Sequence, residues 1–161
     1  MNFSVSINSE SGDKYFVYLA PLDADIAKEL YIDRYNIEVY QIVIDRECGT
    51  NTADIHILNT ISDFIARVFL SNKNLILYYY CDDVNQIPNS NHQIQPQEYR
   101  NRLFSAMINR YICNCNNSIV DTPITIIDAV GNAQYIHFIS RSSHVTIVDN
   151  IVQYVIDNYS K

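Results

Sequence analysis

Apolar and polar residues alternate near both ends of the chain, in the manner of paired strands. Residues 3–7 alternate strictly, and the apolar run 14–20 follows a polar stretch that contains Gly12. Residues 119–139 hold two more such runs, separated by a turn that contains Gly131. Because strand-like runs on either side of a short turn are typical of hairpins, both regions are predicted to be β-hairpins.

Two further apolar runs are continuous rather than alternating. Residues 37–44 are almost all β-branched or aromatic, and residues 75–80 read LILYYY. Runs of this length and composition indicate buried strands, and the second is predicted to be a central strand covered on both faces. The middle of the chain therefore supplies two more strands.

Three segments show the three-and-four spacing of apolar residues that is typical of amphipathic helices. They cover residues 53–70, residues 97–112 after Pro96, and a C-terminal segment that begins after Ser142 or Ser143. The stripe predicted to face the core in the second helix comprises Tyr99, Leu103, Met107 and Tyr111. A short helix is also expected after Pro21.

The predicted element order is ββ(α)βαβαββα, with hairpins at both ends. This order indicates an α+β fold, with a single mostly antiparallel sheet and helices packed mainly on one face. The chain of 161 residues matches one ordinary domain, and no linker or repeat interrupts it. Residues 1–161 are therefore predicted to form one α+β domain.

Charge and composition exclude several classes of protein. With 11 basic and 18 acidic residues, the net charge of −7 opposes the phosphate contacts that DNA or RNA binding requires. No apolar run approaches the roughly 20 residues of a membrane-spanning helix, and the N-terminus does not resemble a secretory signal. We therefore expect no direct nucleic-acid partner, no membrane, a cytoplasmic location, and cysteines that stay as thiols.

The candidate functional residues lie around the end of the apolar run 75–80. Asp82 and Asp83 follow that run directly, and a predicted helix nearby carries Arg100. Acids at the end of a buried strand can act as a base or hold a metal, while an arginine can clamp an anionic group. The alternative interpretation is structural: the acids solvate a strand end, and the arginines pair with them or with Glu98.

The remaining chemistry-bearing residues give weaker signals. His92 lies in the polar loop 84–97 and is the histidine best placed to reach the two acids, whereas His137 is expected to be a hydrogen-bonded residue of a strand. Cys113 and Cys115 lack the second pair of ligands that structural zinc needs. Since three glycines allow no phosphate-binding loop, neither a cofactor nor a metal site is predicted.

Four short motifs run through the chain: D-x-x-I-x-x-T-I in a helix, a Cys-Asp pair ending a strand, R-x-x-L-F in the next helix, and Y-I-x-x-I in a late strand. Their positions here are Asp54, Ile57, Thr60 and Ile61; Cys81 and Asp82; Arg100, Leu103 and Phe104; and Tyr135, Ile136 and Ile139. In these motifs the chain resembles an uncharacterised bacterial family, a domain of unknown function of about 150 to 160 residues. The loop before Arg100 is longer than in that family, and Asn109 or Arg110 replaces a late aromatic residue. The resemblance implies no activity and draws attention to Asp82 and Arg100 as a pair.

Three functional hypotheses follow. The first is a non-enzymatic module that binds a protein partner or itself, because the surface is acidic, tyrosines are abundant, especially at 78–80, and no catalytic set is recognisable. The second is a small hydrolase or ligand-binding enzyme that uses Asp82, Asp83, Arg100 and His92. The third is an acidic mimic of nucleic acid, which the net charge permits.

Overall fold

The computed structural model describes residues 3–49, 55–81, 94–114 and 118–159. The strands are β1 (Ser4–Asn8), β2 (Lys14–Pro21), β3 (Glu38–Cys48), β4 (Leu75–Cys81), β5 (Ile119–Ile127) and β6 (Ala133–Arg141). The helices are α1 (Ala24–Glu29), α2 (Ile55–Ser71), α3 (Pro96–Asn114) and α4 (Val145–Tyr159). Short 3-10 turns precede β3 and α4, at Ile32–Tyr35 and Ser142–His144.

All six strands belong to one sheet, in the order β1-β2-β3-β4-β6-β5. Every neighbouring pair is antiparallel except β3 and β4, which run parallel with Glu38 beside Leu75 and Gln41 beside Tyr78. The predicted element order, the α+β class and the mostly antiparallel sheet are therefore confirmed. Strand β3 extends to Cys48, beyond the predicted end at residue 44.

The turn between β5 and β6 shows how a local sequence builds a hairpin. Gly131 adopts a φ of 89°, a left-handed conformation that glycine tolerates without steric cost. The Asp128 carboxylate accepts hydrogen bonds from the backbone N–H groups of Val130 and Asn132, at 3.0 and 2.8 Å. The Asn132 N–H is the first of the contacts that lower the pKa of Asp128. These contacts fix the turn and thereby the register in which β5 pairs with β6.

Helices cover both faces of the sheet, because apolar side chains of β4 point to each face. Leu75, Leu77 and Tyr79 pack beneath α2 and α3, together with Val68 and Phe69. The opposite face is formed by a second cluster, which includes residues of the turn after α1 and of α4; its buried members are Ile32, Val39, Ile76, Phe138, Val148 and Ile151. The two longest helices, α2 and α3, therefore lie on one face of the sheet, and α4 lies on the other.

Arg141, at the end of β6, fixes the C-terminal end of α2. Its guanidinium donates hydrogen bonds to the carbonyl oxygens of Phe69, Asn72 and Lys73, at 2.8, 2.9 and 3.2 Å. It also lies 4.5 Å from the centre of the Phe69 ring. The last carbonyls of a helix have no partner within it, so Arg141 satisfies groups that α2 alone leaves unbonded.

His144 lies in the 3-10 turn before α4, and its environment disfavours a positive charge. Burial lowers the pKa of His144, and the positive charge of Arg141 lowers it further. The folded protein therefore binds this proton less readily than the unfolded chain, whose histidine has a pKa of about 6.5. The free energy of unfolding should fall as the pH drops below about 6.5 and stop falling once the pH is below the lowered pKa.

Urea unfolding of the wild type and of His144→Gln at pH 7.5 and 5.5 checks this prediction. The variant should lose less stability than the wild type between the two pH values, because one source of the difference in bound protons is gone. The other histidines are present in both proteins and serve as the internal control. Equal losses in the two proteins would show that His144 does not couple protonation to folding.

Candidate functional site

A cavity of about 640 Å³ lies between α2, α3 and the sheet. Its floor includes Ile44 and Leu77, one wall includes Ile61 and Ala66 of α2, and the opposite wall includes Phe104 of α3. Apolar side chains dominate the lining. The space therefore has the shape and the chemistry of a pocket for an apolar molecule.

The cavity exists because α3 packs incompletely on the sheet. Phe104 and Ile108 reach the core cluster beneath α2, but both remain only partly buried. The only buried residues among the described residues of α3 are Gln97 and Arg100. Because few side chains of α3 are buried, a gap remains between α3 and α2, and this gap is the cavity.

Arg100 is the candidate residue that the structure places at this cavity. Its side chain lines the cavity, and the residue is only 6% exposed. The neighbouring Arg102 is exposed instead and pairs with Glu98 at 2.5 Å, one helical turn away. The predicted pairing with Glu98 is thus made by Arg102, while Arg100 faces the interior. Asp82, Asp83 and His92 lie outside the described residues, as do Asp54 and Cys115.

A second polar cluster joins α3 to the outer strands of the sheet. His137 of β6 contacts Asp121 of β5 through Nδ1, at 2.9 and 3.0 Å from the two carboxylate oxygens. Its Nε2 lies 2.6 Å from Oδ1 of Asn101 on α3. The imidazole also stacks on the Tyr79 ring, with centroids 4.6 Å apart. The side chain of His137 therefore contacts residues of three other elements, α3, β4 and β5.

The His137 cluster resembles an acid–base pair in form, but the histidine itself is buried. A histidine oriented by a carboxylate at Nδ1 can act as a base through Nε2 when that atom reaches a substrate. Here Asn101 occupies Nε2, and His137 is only 3% exposed. The cluster therefore works as a clamp that holds α3 against β5 and β6, as expected for a hydrogen-bonded residue of a strand.

Tyr79 separates the clamp from the cavity. One face of its ring stacks on His137, the ring of Phe104 lies 5.1 Å away, and Tyr79 also lines the cavity. Burial raises the pKa of Tyr79 well above its ordinary value, with smaller contributions from Asp121 and Cys81, so the hydroxyl stays protonated. The clamp and the cavity wall consequently share one rigid aromatic side chain.

Sequence reasoning identified Arg100 but missed Asp121 and Asn101. Asp121 is the only charged residue of β5, which was a usable signal, because a carboxylate in a strand of a compact domain usually has a partner. Asn101 gave no signal, since its role depends on how α3 docks. Within the described part of the chain, no group of three His, Cys, Asp or Glu side chains is placed to hold a metal.

Comparison with protein-family models, with curated proteins and with solved structures finds no match to this chain. The resemblance to the bacterial family of unknown function therefore stays a prediction. Among the described residues, no helix combines the length and the apolarity needed to cross a membrane. The cavity and its lining residues remain the features from which a function can be inferred.

Proposed function

We propose that this protein is a non-enzymatic small-molecule-binding module that holds an apolar ligand in the cavity between α2, α3 and the sheet. The observation that carries the proposal is the cavity itself, about 640 Å³ in volume and lined mainly by aliphatic and aromatic side chains. Pockets for small molecules typically measure roughly 300 to 1,000 Å³ and have mostly apolar walls with few polar groups.

The size of the cavity supports a binding role over a packing imperfection. Protein interiors are close-packed, and voids larger than a water molecule are few. An apolar cavity of about 150 Å³ is already sufficient to bind benzene. The cavity described here is larger, and its lining includes the exposed residues Leu70 and Tyr80, so a ligand has both room and access.

The proposal takes the non-enzymatic module from the first sequence hypothesis and the bound ligand from the second. A module that binds a ligand without transforming it suits a regulatory role, and the enclosed state of His137 supports the absence of catalysis by that residue. A protein partner or self-association, and a cytoplasmic location, remain part of the proposal as the sequence predicted them. Catalysis by Asp82 and Asp83 involves residues outside the described ranges and is not part of it.

Filling the cavity tests the proposal. Ala66 lies on the α2 wall, so Ala66→Trp places an indole in the space that a ligand would occupy. We expect the affinity for the neutral fluorescent probe N-phenyl-1-naphthylamine to fall at least about tenfold, which corresponds to about 1.4 kcal/mol. The measurement is a fluorescence titration, with thermal unfolding to confirm that the variant is folded.

Ala106→Trp is the matched control. Ala106 is exposed on α3 and does not line the cavity, so the same substitution there should leave the affinity for the probe within about twofold. Equal affinities of the two variants would place the probe elsewhere and contradict the proposal. A wild type that neither enhances the fluorescence of the probe nor is stabilised by it would contradict the proposal as well.

A further inference from the structure

We infer that the ligand of the cavity is an amphipathic carboxylate, whose anionic group is bound by Arg100 and whose apolar body lies between α2 and α3. The inference rests on the proposed function, since it names the class of molecule that the same cavity takes. It depends on the position, burial and charge of one arginine relative to the apolar lining.

Arg100 brings a buried positive charge to a cavity whose lining is mostly apolar. It is the only buried basic residue among the described residues that line the cavity, because Arg46 also lines the cavity but is exposed. A charge shielded from water interacts more strongly with an opposite charge than it does at a surface. Water therefore screens the attraction between Arg100 and an anionic group in the cavity less than it screens the same attraction at an exposed arginine.

The guanidinium group suits a carboxylate in particular. Its planar fork of N–H donors matches the two oxygens of a carboxylate and permits a bidentate contact. With five such donors, it can bind a ligand oxygen beside any partner that it has within the protein. Binding of the ligand thus does not require Arg100 to give up its internal contacts.

The helix arranges the charged and apolar parts of the site in a line. Arg100, Phe104 and Ile108 are spaced four residues apart on α3, so they lie on one face and follow the cavity along the helix axis. At a rise of about 1.5 Å per residue, the eight steps along the helix from Arg100 to Ile108 span roughly 12 Å. A ligand with a polar head and an unbranched apolar tail matches this order.

Decanoate and decan-1-ol provide a matched pair of probes, because they share the chain and differ in the head group. Isothermal titration calorimetry of the wild type at pH 7.5 should give decanoate at least about tenfold the affinity of decan-1-ol. Arg100→Met should abolish this preference while the affinity for decan-1-ol stays within about threefold. Arg102→Met is the control, since Arg102 is exposed on the same helix, and it should keep the preference.

The possible outcomes separate this inference from the proposed function. Equal affinities of the wild type for the two probes would contradict the inference of an anionic head group. They would not contradict the proposal that the cavity binds an apolar ligand. The same holds if Arg100→Met keeps the preference for decanoate. If neither probe binds and N-phenyl-1-naphthylamine does not bind either, the proposed function itself fails.

A conservative variant guards against a misfolded Arg100→Met protein. Arg100→Lys retains the charge but loses the planar fork of donors. We expect it to retain part of the preference for decanoate, between the wild type and Arg100→Met. An Arg100→Lys protein that is folded by circular dichroism and shows the full wild-type preference would rule out the bidentate contact. The comparison of the two probes on the wild type needs no variant at all.

Discussion

Replacing Asp121 with alanine should lower the free energy of unfolding by about 3 kcal/mol, because the substitution leaves a buried donor without its acceptor. In the native protein, Nδ1 of His137 lies about 3 Å from both carboxylate oxygens of Asp121. Tyr79 stacks on the ring and Asn101 contacts Nε2, and His137 is only 3% exposed, so the Nδ1 group that loses its partner is buried. The destabilisation is measured by equilibrium urea unfolding.

Asp45→Ala is the matched control for this prediction. Asp45 also lies on a strand but is exposed, so the same change there should cost less than about 0.5 kcal/mol. A second variant, Asp121→Leu combined with His137→Phe, should recover much of the lost stability, since both polar partners are then removed together. If Asp121→Ala is no more destabilising than Asp45→Ala, the contact between Asp121 and His137 does not stabilise the fold.

Replacing Arg141 with methionine should cost about 3 kcal/mol and loosen the end of α2. The guanidinium satisfies three carbonyl oxygens at or just after the end of α2 and stacks on Phe69, and methionine can keep only the apolar contact. Hydrogen bonds to a charged group contribute about 1.5 to 3 kcal/mol each, although the contributions of one side chain do not add fully. Urea unfolding gives the total loss.

Amide hydrogen exchange distinguishes a local effect from a general one. In Arg141→Met, the last turn of α2 should exchange faster than in the wild type, while β5 and β6 should change only with the global stability. Arg67→Met is the control, because Arg67 is exposed on the same helix and its Nε donates a hydrogen bond to the Asp63 carbonyl oxygen, at 3.3 Å. A loss of stability that Arg67→Met reproduces would contradict the role given to Arg141.

The sequence predicted the strands well because their signals are local. Alternation near both ends, the continuous run before Cys81, and turns with Gly12 and Gly131 are all contained within short segments. The element order follows from these signals alone. The distribution of the helices over two faces does not, because the partner face of an amphipathic helix is decided by packing between distant segments.

The predicted core stripe of α3 agrees with the observed one only in the second half of the helix. Two of the four predicted residues, Met107 and Tyr111, line the cavity. In the first half of the helix the cavity is lined by Arg100 and Phe104, each one position after a predicted residue. The sequence pattern treats arginine as a surface residue, so it could not identify the buried Arg100.

The candidate site was only partly predictable. Arg100 attracted attention as an arginine that follows a strand ending in acids, and it does line the cavity. The cavity itself depends on the spacing between α2 and α3, which no periodicity encodes. The His137 clamp depends on the pairing of β5 with β6 and on the docking of Asn101, both of which join residues far apart in the chain.

The parallel junction between β3 and β4 has a consequence for the kinetics of folding. Among the strands of the described residues it is the only parallel pair of neighbours, and it joins the meander of β1, β2 and β3 to the later strands. Contacts between segments separated by a helical crossover form slowly, because a long loop must close before they gain any free energy. We expect two partly structured halves to appear first, with their joining as the rate-limiting event.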